Sequence, residues 1–306
     1  MTEHAPAPVL LEGAIDYAGL FPPAQLDMAG AVAQYASYLR SDEAWALGAF
    51  VVPAARLEEL ATVATGLRAP HGEPLGALTP WRVSAVVGAD VRAEMGQVRV
   101  FHAAHATASA WPAAVRSVEL RASTAEAIAE AARTVGDGFD LFVEIPIAGD
   151  VQPLVRAIGA ANACAKVRTG GTAADMFPSS EDLARFLAAC VRERVPFKAT
   201  AGLHHALRGA YPLTYAPDSA RGTMYGFLNV FLAAAFLRAG ESEAMVRALL
   251  EEREAAALRF DQSGVAWRGH RLSTAQLENS RDGAIRSFGS CSFREPLDDL
   301  ASLGLL

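Results

Sequence analysis

Short runs dense in β-branched and other apolar residues alternate along this chain with longer stretches whose apolar residues recur every three or four positions. "GAIDYAG" (13–19), "LGAFVVP" (47–53), "VSAVVGA" (83–89), "SVELRA" (117–122), "LFVEIPI" (141–147), "AKVRTGG" (165–171) and "FKATAG" (197–202) read as strands. Between them "DMAGAVAQYASYLR", "AARLEELATVATGL", "TAEAIAEAARTV", "VQPLVRAIGAANA" and "SSEDLARFLAACVRER" read as helices with one apolar face. Strand spacings of roughly 25 to 35 residues are those of βαβ units, which lay strands parallel and helices outside. Seven such units in a row predict a (β/α)8 barrel of the TIM type rather than an open sheet.

The eighth strand has two candidates. "GFLNVF" (226–231) continues into what reads better as a long buried helix, so the preferred strand is "AIRSFGS" (284–290). The segment after it, "REPLDDLASL", has the proline and acidic first turn of a helix start. This choice makes residues 206 to 280 an insertion before the last strand, within one barrel domain spanning residues 1 to 306. The insertion is expected to hold two helices, "MYGFLNVFLAAAFLRA" and "SEAMVRALLEEREAAAL", and a hairpin in "LRFDQSGVAWRGHRLS". Its arginines and glutamates fit a lid, an interface in a homo-oligomer, or both.

Composition narrows the partners. With 306 residues, 52% of them hydrophobic, the chain can bury a substantial core. Its net charge is −7 and its basic residues are scattered, so it lacks the positive stripe that nucleic-acid binding needs. The longest apolar run, 226 to 240, is short for a bilayer and is interrupted by Asn229, so no membrane association is expected. The first residues carry no basic segment leading into an apolar one, which suits a cytoplasmic protein. Cys164, Cys190 and Cys291 are too widely spaced for a zinc site or disulfide framework.

Side chains alternate across a strand. On the fourth to seventh strands that alternation puts Glu119 and Arg121, Glu144, Lys166 and Arg168, and Lys198 and Thr200 on one common face. Val118, Leu120, Val143, Ile145, Val167 and Ala199 take the other face, which fits under the helices, so the charged set is expected to line the barrel. Catalytic groups in such barrels lie at the C-terminal strand ends and the loops beyond. Those loops carry Thr169, Gly170 and Gly171, then Gly202, His204, His205 and Arg208, and last Gly289, Ser290, Cys291 and Ser292. Glycine-rich turns and a helix start favour an anion, so a small anionic metabolite bearing phosphate or carboxylate is the expected ligand.

A lysine held near another cation in a low-dielectric site becomes a usable amine nucleophile. Lys166, near Arg168 and Lys198, is the candidate, with Lys198 lowering its proton affinity or acting as the nucleophile itself. Glu144, His204 and His205 are available for acid–base work. "KVRTGG", "KATAGL" and "RSFGSCS" together resemble the layout of the deoxyribose-phosphate aldolase group of class I aldolases. The resemblance covers these three short motifs. It implies that Lys166 forms a Schiff base, that Lys198 assists proton transfer, and that Gly289, Ser290 and Ser292 form a phosphate-binding turn. Arg168, the paired histidines, Glu119 in place of a fourth-strand aspartate, and the insertion depart from that family's pattern.

The expected function is therefore a lysine-dependent, Schiff-base aldolase or lyase that needs no cofactor. Two alternatives stay open: a lyase or isomerase whose enolate is held by a divalent metal on Glu119, Glu144 and a histidine, and a barrel that binds an anion without turning it over. Asp16 and Tyr17, ending the first strand, either reach the mouth or cap a turn. His102 and His105 read as a solvated helix face, Cys190 as core, and Cys291 as a structural or reactive thiol in the last loop.

Overall fold

The computed structural model describes residues 6–66, 80–108 and 111–306. Its barrel strands begin with β1 (Ile15–Tyr17), β2 (Leu47–Pro53), β3 (Trp81–Val86), β4 (Ala113–Arg121), β5 (Asp140–Glu144), β6 (Cys164–Arg168) and β7 (Phe197–Thr200). Two small antiparallel sheets follow, β8 (Gly209–Pro212) with β9 (Arg221–Met224), and β10 (Leu258–Asp261), β11 (Gly264–Trp267) and β12 (His270–Ser273). The strand β13 (Ile285–Ser290) then pairs in parallel with both β7 and β1 and closes an eight-stranded barrel. The (β/α)8 expectation holds, and the eighth strand lies where "AIRSFGS" placed it.

Local chemistry fits each unit. Asp27, Asp90, Thr124 and Ser179 each accept a backbone N–H in the first turn of the helix they precede, satisfying a donor that the helix cannot. The outward strand residues Val118, Val143, Val167 and Ala199 are fully buried beneath those helices.

Residues 206 to 280 are not a single insertion. The helix Phe227–Arg238 packs against Ser180–Glu193, and its Phe227 and Phe231 rings lie against Phe288 of β13 at 4.9 and 5.6 Å. It is the seventh helix of the outer ring. Its residues 227 to 236 are all buried because the helices Glu243–Leu250 and Thr274–Gly283 also pack against it. A helix covered on every side has no reason to be amphipathic. Two true additions remain: the β8–β9 hairpin on the mouth side of the ring, and residues 243 to 283, whose last helix lies against the N-terminal helix Pro6–Leu11. The expected single hairpin after residue 258 is a three-stranded meander, and the helix expected over 242 to 258 ends at Leu250.

Asn229 ties these pieces together. Its amide donates to the Leu249 and Glu252 carbonyls at 2.8 and 2.9 Å, and its carbonyl oxygen accepts from the Arg208 backbone N–H at 2.8 Å. Leucine there would remove the partner of the Glu252 carbonyl and of the Arg208 N–H, and one of the two partners of the Leu249 carbonyl. Asn229→Leu is expected to destabilise the protein by on the order of 3 kcal/mol, read by urea denaturation; a loss below about 1 kcal/mol would show that water replaces the amide.

Candidate active site

Parallel pairing sets Arg121 beside Glu144, Glu144 beside Lys166, and Lys166 beside Lys198. Inward charges on four adjacent strands thus fall at similar heights, and they arrange themselves as a chain of alternating sign. Lys198 Nζ lies 2.7 Å from Asp16 Oδ2 and 2.5 Å from Glu119 Oε1. Glu119 Oε2 reaches Lys166 Nζ at 2.8 Å, and Lys166 Nζ is 3.1 Å from Glu144 Oε2. Glu144 Oε1 then accepts from Arg121 Nε at 2.9 Å and Arg168 Nε at 3.3 Å.

Inward serines satisfy the remaining lone pairs. Ser84 donates to Glu119 Oε1 at 2.6 Å and accepts from Ser117 at 2.7 Å, while Ser287 donates to Asp16 Oδ2 at 2.6 Å. Asp16 Oδ1 also accepts the Ala49 backbone N–H at 2.7 Å. Asp16 is therefore the inner end of the chain rather than a residue of the mouth. Tyr17 points the other way, stacking on Tyr35 and Phe50 and donating to Gln34.

The two lysines differ in setting. Lys198 is 1% exposed; burial alone would lower its pKa, but the Asp16 and Glu119 carboxylates outweigh burial and raise it. It is an ammonium held between two carboxylates, a setting that disfavours the nucleophilic role. Glu119 also stands between the two ammonium groups, one on each carboxylate oxygen. Burial likewise works against the charge on Glu119 and Glu144, yet their lysine and arginine partners hold both carboxyls below the usual range. Lys166 lines a cavity of about 940 Å³ at the C-terminal ends of the strands. Beside it, Glu144 Oε2 is buried and has no hydrogen-bond partner among the described residues, the ammonium being near but poorly aligned.

A second polar group forms the wall contributed by the last strand. His204 Nδ1 lies 3.1 Å from Glu295 Oε2, 3.4 Å from Ser290 Oγ and 3.8 Å from Cys291 Sγ. Tyr215, carried between β8 and β9, donates to Glu295 Oε2 at 3.0 Å and sits 3.3 Å from Cys291 Sγ. Burial alone would push His204 down, but its bonds to Cys291 and Glu295 outweigh burial and raise it to about 9. Burial and the same two neighbours push the Tyr215 hydroxyl up, so it keeps its proton. His205 also borders the cavity, stacked on Tyr211 and 3.2 Å from Asp299 Oδ2, so both histidines reach the mouth.

Several loop assignments change. Arg121, Arg168, Gly171, Thr200, Gly202 and Gly289 border the cavity with Glu119, Glu144 and the lysines. Thr169 is fully buried and donates to the Thr200 and Ala201 carbonyls, clamping two loops. Gly170 has no Cβ because the Phe177 ring occupies that space. Ser290 is buried against His204, and Ser292 accepts the Glu295 N–H as a helix cap. The turn expected to bind phosphate thus presents Gly289 and Cys291 to the cavity, with the Glu295 carboxylate alongside. His102 and His105 are half-buried against Phe139, Phe101 and Trp111 rather than solvated.

Glu119 and Glu144, the carboxylates of the metal alternative, are already engaged by cations. No group of three His, Cys, Asp or Glu side chains among the described residues is placed to hold a metal ion. No helix among them is long and apolar enough to cross a membrane. No protein-family model and no curated protein matches the chain.

Sequence pattern missed Ser84, Ser117, Ser287, Glu295 and Tyr215. It also passed over one plain signal: the chain holds two lysines, Lys166 and Lys198, against 25 arginines.

Replacing Lys198 by methionine leaves Asp16 and Glu119 buried with too little positive charge. Lys198→Met is expected to lower unfolding free energy by about 3–5 kcal/mol in denaturant titrations; an unchanged midpoint would mean that the chain is not a structural constraint. His204 gives a pH effect of definite sign. Its pKa is raised from 6.5 to about 9 on folding, so its stabilisation is complete below pH 6.5 and disappears as pH rises through about 9. The melting temperature of the wild type should fall over that window more steeply than that of His204→Asn.

Proposed function

We propose that the protein is a lysine-dependent aldolase or lyase that binds a small anionic carbonyl compound as a Schiff base on Lys166. The observation that carries this reading is where the two lysines stand. Arginine supplies every other basic side chain apart from histidine, and it offers no amine that can form an imine. Both lysines border the cavity, but Lys166 is the more exposed of the two, at 7% against 1%, and has an unoccupied carboxylate oxygen beside it.

In this reading, Lys166 loses a proton to Glu144 Oε2 and its nitrogen adds to the substrate carbonyl carbon. Glu144, held low by its cations, keeps that proton only in passing and hands it to the carbonyl oxygen. The nitrogen then gives up its second proton through Glu144 to solvent, and the His204 imidazolium protonates the oxygen as it leaves as water. The product is an iminium, still positive at Nζ, so Glu119 and Glu144 stabilise it as they stabilised the ammonium. A β-hydroxyl then returns its proton to His204 as the bond between the α- and β-carbons breaks, giving a carbonyl product and an enamine. Protonation of the enamine at its α-carbon and hydrolysis of the imine restore the amine. Lys198 binds no substrate; it fixes Glu119.

The test is reduction by borohydride in the presence of small aldehydes, ketones and keto acids, followed by intact-mass measurement and peptide mapping. One adduct per chain is expected, on the peptide containing Lys166, and Lys166→Ala should lose it. Adducts confined to the N-terminal amine, or none with any compound, would sink the imine mechanism and favour the anion-binding barrel.

A further inference from the structure

The mouth of the barrel is divided into unlike halves. β1 to β3 and their loops present Phe21, Pro22, Pro23, Val51, Val86 and Val87 to the cavity, with no ionisable side chain among these six. β4 to β7 present the charges. A ligand that satisfies both halves has an anionic, carbonyl-bearing end and a sizeable apolar end.

The anionic end has a built site. Arg121 and Arg168 each give only Nε to Glu144 Oε1, and their terminal guanidinium nitrogens have no hydrogen-bond partner among the described residues. Two guanidiniums against one shared carboxylate leave a positive charge over, and planar guanidiniums suit a second carboxylate. Both arginines also border an adjoining cavity of about 610 Å³, so they stand where two open spaces meet.

The spacing to Lys166 decides what kind of anion fits. The amine touches one oxygen of Glu144 and the two arginines touch the other. Nucleophile and anion site therefore sit against the two oxygens of one carboxylate group, a short separation. A carbonyl bonded directly to a carboxylate matches that separation; one several bonds from a phosphate does not. The last loop, where phosphate binding was expected, brings the Glu295 carboxylate, paired with His204, to the cavity and offers no arginine or lysine there.

We propose that the substrate is a 2-oxo acid with a bulky apolar substituent, its carboxylate on Arg121 and Arg168 and its substituent against the β1–β3 wall. The position of the reacting carbonyl rests on the lysine mechanism above; the two-ended binding does not.

The test therefore uses ligands that cannot form an imine. Calorimetric titration of the full chain would compare 3-phenyllactate, lactate and 2-phosphoglycolate, against wild type, Arg168→Ala, Phe21→Ala and Lys166→Ala, with circular dichroism to check folding. Phenyllactate is expected to bind at least ten-fold more tightly than lactate or phosphoglycolate. Arg168→Ala should weaken phenyllactate and lactate alike by ten-fold or more, whereas Phe21→Ala should weaken phenyllactate alone. Retained phenyllactate binding in Lys166→Ala supports the substrate class even if no borohydride adduct is ever found. Tightest binding by phosphoglycolate, equal binding of lactate and phenyllactate, or indifference to Arg168→Ala overturns the proposal.

Discussion

Glu119 holds two ammonium groups at once, one on each carboxylate oxygen, inside a barrel wall that is otherwise largely apolar on its outer face. Desolvation makes each charge costly alone, so the arrangement is stable only if every member meets its opposite. That condition fixes which strands stand side by side and at what height, because a one-residue slip would turn a lysine into the apolar layer beneath the helices. It also splits the labour of the two lysines. Lys198, enclosed, is the counter-charge that keeps Glu119 ionised and aimed; Lys166, one step further up, is left with its nitrogen at the cavity floor.

The ring closes by setting β13 between β7 and β1, and this brings chemistry from distant segments to one wall. His204 comes from the loop after β7, Glu295 from the first turn after β13, and Tyr215 from the hairpin between β8 and β9. None is near another in sequence, yet Glu295 accepts hydrogen bonds from both of the others. The cavity thus has an amine side, a side lined by a histidine, a tyrosine and a carboxylate, and an apolar side, each owned by a different arc of strands.

How much of this could be read in advance follows from the range of the interactions. Strand β13 was legible because "AIRSFGS" is followed by a proline-bearing helix start, a local signal. The helix Phe227–Arg238 was recognised as a helix but misplaced in an insertion, because its uniform burial depends on two later helices that cover its outer side. The inward face of Glu119, Glu144, Lys166 and Lys198 was legible from alternation alone. Their partners Ser84, Ser117 and Ser287 were not, since an inward serine on a strand looks like any other serine until the facing carboxylate is known. The glycine-serine turn reads differently once folded for a related reason: its hydroxyls are taken up by His204 and by the first turn of the next helix, which only the folded loop reveals.

The scarcity of lysine has a consequence for how this molecule meets reactive small molecules. Most proteins scatter dozens of primary amines over their surfaces, and electrophiles in solution are consumed there at random. Here the side-chain amines are withdrawn into the barrel, both at the floor of one cavity, while the exterior carries guanidinium groups that aldehydes attack poorly. Any electrophile that reaches a side-chain amine must therefore enter the barrel, and the cavity's shape and charge stand between the amines and bulk solution.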